Sequence, residues 1–231
     1  RSQLAERHDG LEIPHVLLLH VNELTAQALP DLLTAVHSFH RQSPGPGEPV
    51  RVLDIGGARE EAVLFGGYAG TNLRDTWTWD GRTWTQHLTA PDATPPASDT
   101  RLMIYDAVRH QTLLLLGGSW GVVAQLWAWD GASWSLLATG GPPGAYPDGF
   151  AFDATRGVAV LHAGYSGGGG TQRTWEWDGV AWAERTAAGG PSENNGNPAY
   201  FDTTLGEVVV ARSPGSVLWA WNGTRWWQLP A

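Results

Sequence analysis

The stretch Leu126–Trp134 reads LWAWDGASW. Trp127 and Trp129 flank one small residue, so on an extended strand both indoles point to the same side of the pleat. Asp130-Gly131 then signals a tight turn, and Trp134 begins a returning strand. Three other stretches repeat the phrase: TWTWDGRTW (76–84), TWEWDGVAW (174–182) and LWAWNGTRW (218–226). Together the four hold 12 of the 14 tryptophans in the chain. Their first tryptophans, Trp77, Trp127, Trp175 and Trp219, recur at intervals of 50, 48 and 44 residues. A fixed period of this size is the signature of a repeat architecture.

Each unit contains four strand-like pieces. In the second they are RLMIYD, QTLLLLGG, LWAWDG and SWSLLAT. QTLLLLGG is a short continuous apolar run ended by glycines, as expected of a strand covered on both faces. An aspartate closes the first strand in every copy: Asp54, Asp106, Asp153 and Asp202. Four strands per unit at this period predict a β-propeller blade. The tryptophans are then read as blade-to-blade packing, each indole N–H finding a partner near the edge. Ligand stacking is the weaker reading of them.

VLFGGY…DTWTWDGRTWTQ resembles bacterial kelch-type repeats of the galactose-oxidase-like propeller group. The resemblance covers residues 50–231 and implies an all-β propeller of four-stranded blades, four in this chain. Kelch rings usually have six or seven blades, so the remainder would come from elsewhere in a longer chain or from a partner, self-association through open blade faces included. Copper-radical chemistry does not carry over, because it needs a cysteine and the chain has none.

Residues 1–42 lack repeat character. HVLLLHV (15–21) reads as a strand, and Leu29, Leu32, Leu33, Val36 and Phe39 recur at helical spacing after Thr25 as N-cap. SPGPGEP, spanning 43–49 after Gln42, is a linker by composition. Residues 11–41 resemble the C-terminal end of a NodB-type polysaccharide deacetylase domain: a strand ending Leu18-Leu19-His20, then VNEL and a helix. In that family the histidine protonates the leaving group, work suited to its near-neutral pKa. The resemblance therefore implies His20 as a catalytic acid. The family's Asp-Asp and His-x-x-x-His metal motifs are absent from this sequence.

The loops between the second and third strands, GGYAGTNLRD, GGSWGVVAQ and AGYSGGGGTQR, vary while the framework does not. Variable loops on a rigid scaffold are where binding usually sits. Tyr68, Trp120 and Tyr165 each sit in a Gly-rich loop, with Arg74 and Arg173 nearby. Aromatic faces beside polar neighbours suit a sugar ring or a peptide. His37 and His40 stand three apart without a third ligand, so no metal site is expected from them. RVLDIGGA (51–58) aligns as a blade's first strand rather than a nucleotide-binding turn, and Asn222-Gly223-Thr224 as a turn rather than a glycosylation acceptor.

A net charge of −9 argues against general affinity for nucleic acid or an anionic membrane surface. No apolar run approaches the length of a membrane helix, so no insertion is expected. No cofactor is called for, and no complete catalytic site is visible. The sequence favours a non-catalytic propeller module that binds a carbohydrate or protein partner, with an extracellular or cell-envelope location. The alternatives are the C-terminal part of a deacetylase fused to a propeller, and a structural propeller completed by self-association.

Overall fold

The computed structural model describes residues 17–21, 52–55, 62–68, 71–80, 82–88, 93–98, 101–117, 124–142, 147–163, 173–185, 198–212 and 217–230, with isolated positions between them. For 17–21 and 52–55 it describes the backbone alone. The helix expected after Thr25 and the 43–49 linker lie outside these residues.

Four antiparallel meanders succeed one another along the chain. The first blade is β2 (Val52–Ile55), β3 (Ala62–Tyr68), β4 (Asn72–Trp79) and β5 (Trp84–His87). The second is β6 (Arg101–Asp106), β7 (Gln111–Leu116), β8 (Gln125–Trp129) and β9 (Trp134–Thr139). The third is β10 (Pro147–Asp153), β11 (Val158–Ala163), β12 (Arg173–Trp177) and β13 (Trp182–Glu184). The fourth is β14 (Ala199–Asp202), β15 (Glu207–Arg212), β16 (Val217–Trp221) and β17 (Trp226–Gln228). A further strand, β1 (Leu17–Val21), adds to the first blade in parallel beside β2. The first strands of successive blades approach one another, which places them on the inside of a fan. This is an all-β propeller of four-stranded blades, as the repeat predicts.

The second strand is the buried centre of each blade. Leu113 to Leu116 of β7 are buried on both faces, matching the continuous apolar run read from the sequence. The phrase around each tryptophan triple builds the interface between blades. Trp129 pairs across the ladder with Trp134, Trp177 with Trp182 and Trp221 with Trp226, their ring centroids 5.3–5.6 Å apart. These pairs face the preceding blade. Trp134 lies edge-on to Phe65 and donates its indole N–H to Thr76 Oγ1 at 2.8 Å. Trp226 does the same two interfaces later, edge-on to His162 and donating to Thr174 Oγ1 at 2.8 Å.

The expectation that each indole N–H finds a partner holds only in part. Those of Trp129, Trp175, Trp177, Trp182 and Trp219 are buried without one. The reason lies on the receiving face. The position before the first tryptophan is Thr76 in the first blade and Thr174 in the third, but Leu126 in the second. Trp182, which faces the second blade, therefore meets no hydroxyl there. The position between the first two tryptophans of the phrase is Glu176 in the third blade but Ala128 in the second. Trp221 accordingly donates to Glu176 Oε1 at 2.8 Å, while Trp177 has nothing to reach.

Two sets of turns close one end of the blades; in the first blade the turn between the first two strands lies outside the described residues. Asp106, buried in β6, accepts from the backbone N–H groups of Val108 and Arg109 at 3.0 and 2.9 Å, and Asp153 and Asp202 cap the equivalent turns. In the W-D-G turns, Asp80, Asp130, Asp178 and Asn222 each accept from the backbone N–H groups two and three residues on, at 2.8–3.0 Å. This confirms the turn reading of Asn222. Those N–H donors hold the Asp80 and Asp178 carboxyls below the usual carboxylate range. At Asp130 partial burial opposes the same bonds, and the bonds prevail.

Arginines extend the hydrogen bonding of these turns. Arg109 bonds Asp106 in its own blade at 2.8 Å and donates across to the backbone carbonyl of Asp178 in the next. Arg156 bonds Asp153 at 2.8 Å and reaches Glu176. A Cβ at Gly179 (φ +101°) would overlap the Arg109 guanidinium, whereas one at Gly131 (φ +98°) would meet nothing. The two glycines thus share one backbone strain and differ in one contact.

Three stability measurements follow from this packing. Trp134→Ala should lower the unfolding free energy by about 3–5 kcal/mol in urea titration, as for other buried aromatic truncations. Trp134→Phe should cost less, roughly 1–2 kcal/mol, because it keeps the ring but strands the Thr76 hydroxyl. Gly179→Ala should destabilise more than Gly131→Ala, and the excess should vanish in an Arg109→Ala background if the guanidinium is its cause.

Candidate functional site

Each strand meander gives a blade two unlike ends. One carries the turns between first and second and between third and fourth strands, held by the repeated aspartate and arginine bonds described above. The other carries the loops between second and third strands, where the candidate ligand-binding residues lie.

Tyr68 is the last residue of β3, its backbone paired with Asn72 across the loop at 69–71. Arg74 follows in β4 and is exposed. Arg173 opens β12 opposite Ala163, and its guanidinium Nη1 pairs with Glu184 Oε2 at 3.3 Å. Both partners are more than a third exposed, so water screens the pair and it contributes little to stability. What it does is hold one cation at the mouth of the third blade's loop. Tyr68, Arg74 and Arg173 therefore share the loop end of their blades. Trp120, Tyr165 and the Tyr68 side chain lie outside the described residues, so the five are not seen converging on one point.

His20 lies in β1, within the irregular stretch between Leu18 and Val21 where the register with β2 shifts. Its side chain is outside the described residues, as are His37 and His40. Among the described residues no three His, Asp or Glu side chains cluster closely enough to hold a metal ion.

The main polar cluster that sequence reading missed is buried between the third and fourth blades. Glu176 is nearly inaccessible and accepts from Arg156, from Arg185 Nε at 3.2 Å and from Trp221 Nε1 at 2.8 Å. All its acceptor capacity is turned inward, which makes it a joint rather than a binding group. The D-x-x-R spacing of Asp106/Arg109 and Asp153/Arg156 is visible in the sequence, but nothing local points from Arg156 to Glu176. Its neighbour at the same interface, His162, is 2% exposed, stacks edge-on with Trp226 and leaves Nδ1 without a partner. Burial lowers its pKa to about 4.

The sign of that shift fixes a pH dependence. The folded state keeps His162 neutral while the unfolded chain protonates it near pH 6.5. Its contribution is therefore complete above pH 6.5 and is lost as pH falls from 6.5 towards 4. The unfolding free energy from urea titration should fall across that window, by roughly 3 kcal/mol in total. A His162→Leu variant should show a flatter profile there.

No family profile and no curated sequence matches the chain. Solved structures do. The SapL1 lectin, solved with alpha methyl fucoside, superposes with a TM-score of 0.52 at 13% identity, over 80% of this chain and 65% of its own. The fungal Aleuria aurantia lectin, a six-bladed β-propeller with a fucose recognition mode, gives a TM-score of 0.52 at 12% identity, over 79% and 61%. A chain of a nidogen/laminin complex gives 0.48 at 13% identity, over 78% and 67%. The chain thus spans less than two thirds of the length of either lectin. At these identities the likeness is one of fold.

Proposed function

We propose that this chain is a non-catalytic propeller module that presents its loop end to a carbohydrate or protein partner, a carbohydrate being the first to test. The observation that carries this reading is the contrast between the two ends of each blade. The turn end repeats one hydrogen-bonded chemistry from blade to blade: an aspartate or asparagine cap in every turn described, with Arg109 and Arg156 bonding on into neighbouring structure. At the loop end the first three blades share only glycine and a single aromatic, Tyr68, Trp120 or Tyr165, with Arg74 near the first and Arg173 near the third. A rigid frame with a uniform base and a variable rim is a scaffold for recognition. Flat aromatic faces with charged donors beside them match the apolar face and hydroxyl rim of a pyranose. Two propeller lectins among the structural neighbours, both described with fucose or a fucoside, make that sugar the natural first probe.

The kelch-type resemblance is compatible with this reading and adds no substrate. The deacetylase reading, in which His20 would act as general acid, draws no support from the pairing of β1 with the first blade. That pairing makes the His20 strand part of a propeller sheet.

The proposal is tested by calorimetric titration of residues 1–231 with alpha methyl fucoside and a panel of monosaccharides. Tyr68→Ala, Trp120→Ala and Tyr165→Ala should each weaken binding roughly 5- to 10-fold, about 1–1.4 kcal/mol, with melting unchanged. Unaltered binding by the folded triple variant would remove the loops from the site.

A further inference from the structure

Strand alternation gives the fourth blade two faces. Ala199, Val208, Val210, Trp221 and Trp226 belong to the apolar cluster shared with the third blade. Val209 and Ala220 alternate with them and point the other way, on the receiving face of the fourth blade. Both are fully buried.

An indole lies on that face, and it comes from the blade itself. Trp227 pairs with Ala220, and Ala220 pairs with Val209. Trp227 Nε1 donates to Glu207 Oε2 at 2.7 Å. Glu207 stands two residues before Val209 on the same face of β15, so the ring reaches it by passing over Ala220.

The third blade has the same ladder with different occupants. Ala183 pairs with Glu176 and Glu176 with Val160, with Val158 two residues before. Here the indole on the receiving face is Trp221 of the fourth blade, which donates to Glu176 and shares a cluster with Val160, Val158 packing against it. Each face thus holds an indole bonded to a carboxylate. On the third blade the indole is the neighbour's, and on the fourth it is the blade's own. At the position of Trp227 the other blades have small residues, Thr85, Ser135 and Ala183. The turn differs in the same sense. Leu205 stands where Arg109 and Arg156 stand, and Arg109 is the side chain that bonds a turn of the next blade.

We propose that Trp227 substitutes for the tryptophan of a docking blade, and so closes the receiving face of the fourth blade to any further blade built on the W-x-W-D-G phrase, a second copy's included. An incoming indole would need the space over Ala220 that Trp227 fills. It would find a methyl group at the position of Glu176, and Glu207 already bonded. Self-association through this face therefore requires Trp227 to leave it. Removing the ring uncovers Val209 and Ala220 and leaves an apolar patch of the kind that associates.

Two measurements on residues 1–231 test the proposal. The Trp227 indole N–H, identified by its loss in Trp227→Phe, should exchange at least about 10-fold more slowly than a free indole, and faster in Glu207→Val. Trp227→Ala should gain binding of an apolar fluorescent dye, or a mass by light scattering that rises with concentration. Ser135→Ala, at the equivalent position of the second blade, should gain neither. Free-indole exchange in the unaltered protein would overturn the proposal, even if Trp227→Ala failed to fold. A folded Trp227→Ala variant with neither gain would overturn it as well. So would an unaltered protein that associates and turns monomeric on Trp227→Ala, because Trp227 would then be a contact and not a cover.

Discussion

Everything in this architecture depends on the tryptophan pair that closes each outer hairpin and presses against the blade before it. A single four-stranded sheet has two apolar faces and no interior of its own. Stacking removes both faces from water at once, and indoles are large enough to fill the wedge between sheets that splay outward. The pairing of Trp129 with Trp134 fixes the hairpin register, because a slip of one residue would turn both rings to the opposite face. The same pair that sets local structure therefore also sets the tertiary contact. That is why one nine-residue phrase recurs while the loops around it drift.

The polar atoms are arranged in the space this packing leaves. Buried aspartates at the first turn, Asx caps at the second and arginines between them answer backbone N–H and carbonyl groups that the hairpins cannot pair internally. Not every demand is met. Among the described residues, five buried indole N–H groups go without an acceptor, each a cost of roughly 1–3 kcal/mol that the surrounding apolar burial must exceed. The interface between the third and fourth blades is the better satisfied one, since Thr174 and Glu176 both offer oxygens to the tryptophans opposite.

Much of this was legible in the sequence. The W-x-W-D-G phrase reports strand, facing and turn within a few residues, and the aspartate spacing marks the first hairpin even where its glycine is lost. His110 stands at φ +53°, in the left-handed position that Gly157 and Gly206 occupy in the next two copies. The joint at Glu176 was hidden because its partners, Arg156, Arg185 and Trp221, come from separate segments of two blades. No local pattern brings them together. The fate of the His20 strand was hidden for a related reason: parallel pairing leaves no turn signal between partners. The candidate binding residues were found by the opposite signal, a failure to repeat, which marks a place but not its chemistry.

The alternation of faces has one further consequence. Each blade has a tryptophan face and a receiving face, so the stack is directional, and its interfaces are not interchangeable. Glu176 fits a blade that offers Trp221; the equivalent residue in the second blade, Ala128, offers no charge at all. Repeat chains are prone to misassembly in which a unit skips its neighbour and docks on the next. If the fourth blade were to settle on the second, Trp221 would lose its acceptor and Glu176 would be left without the indole that it faces. The carboxylate thus serves as an address, written once, that tells similar blades apart and penalises the wrong order of assembly.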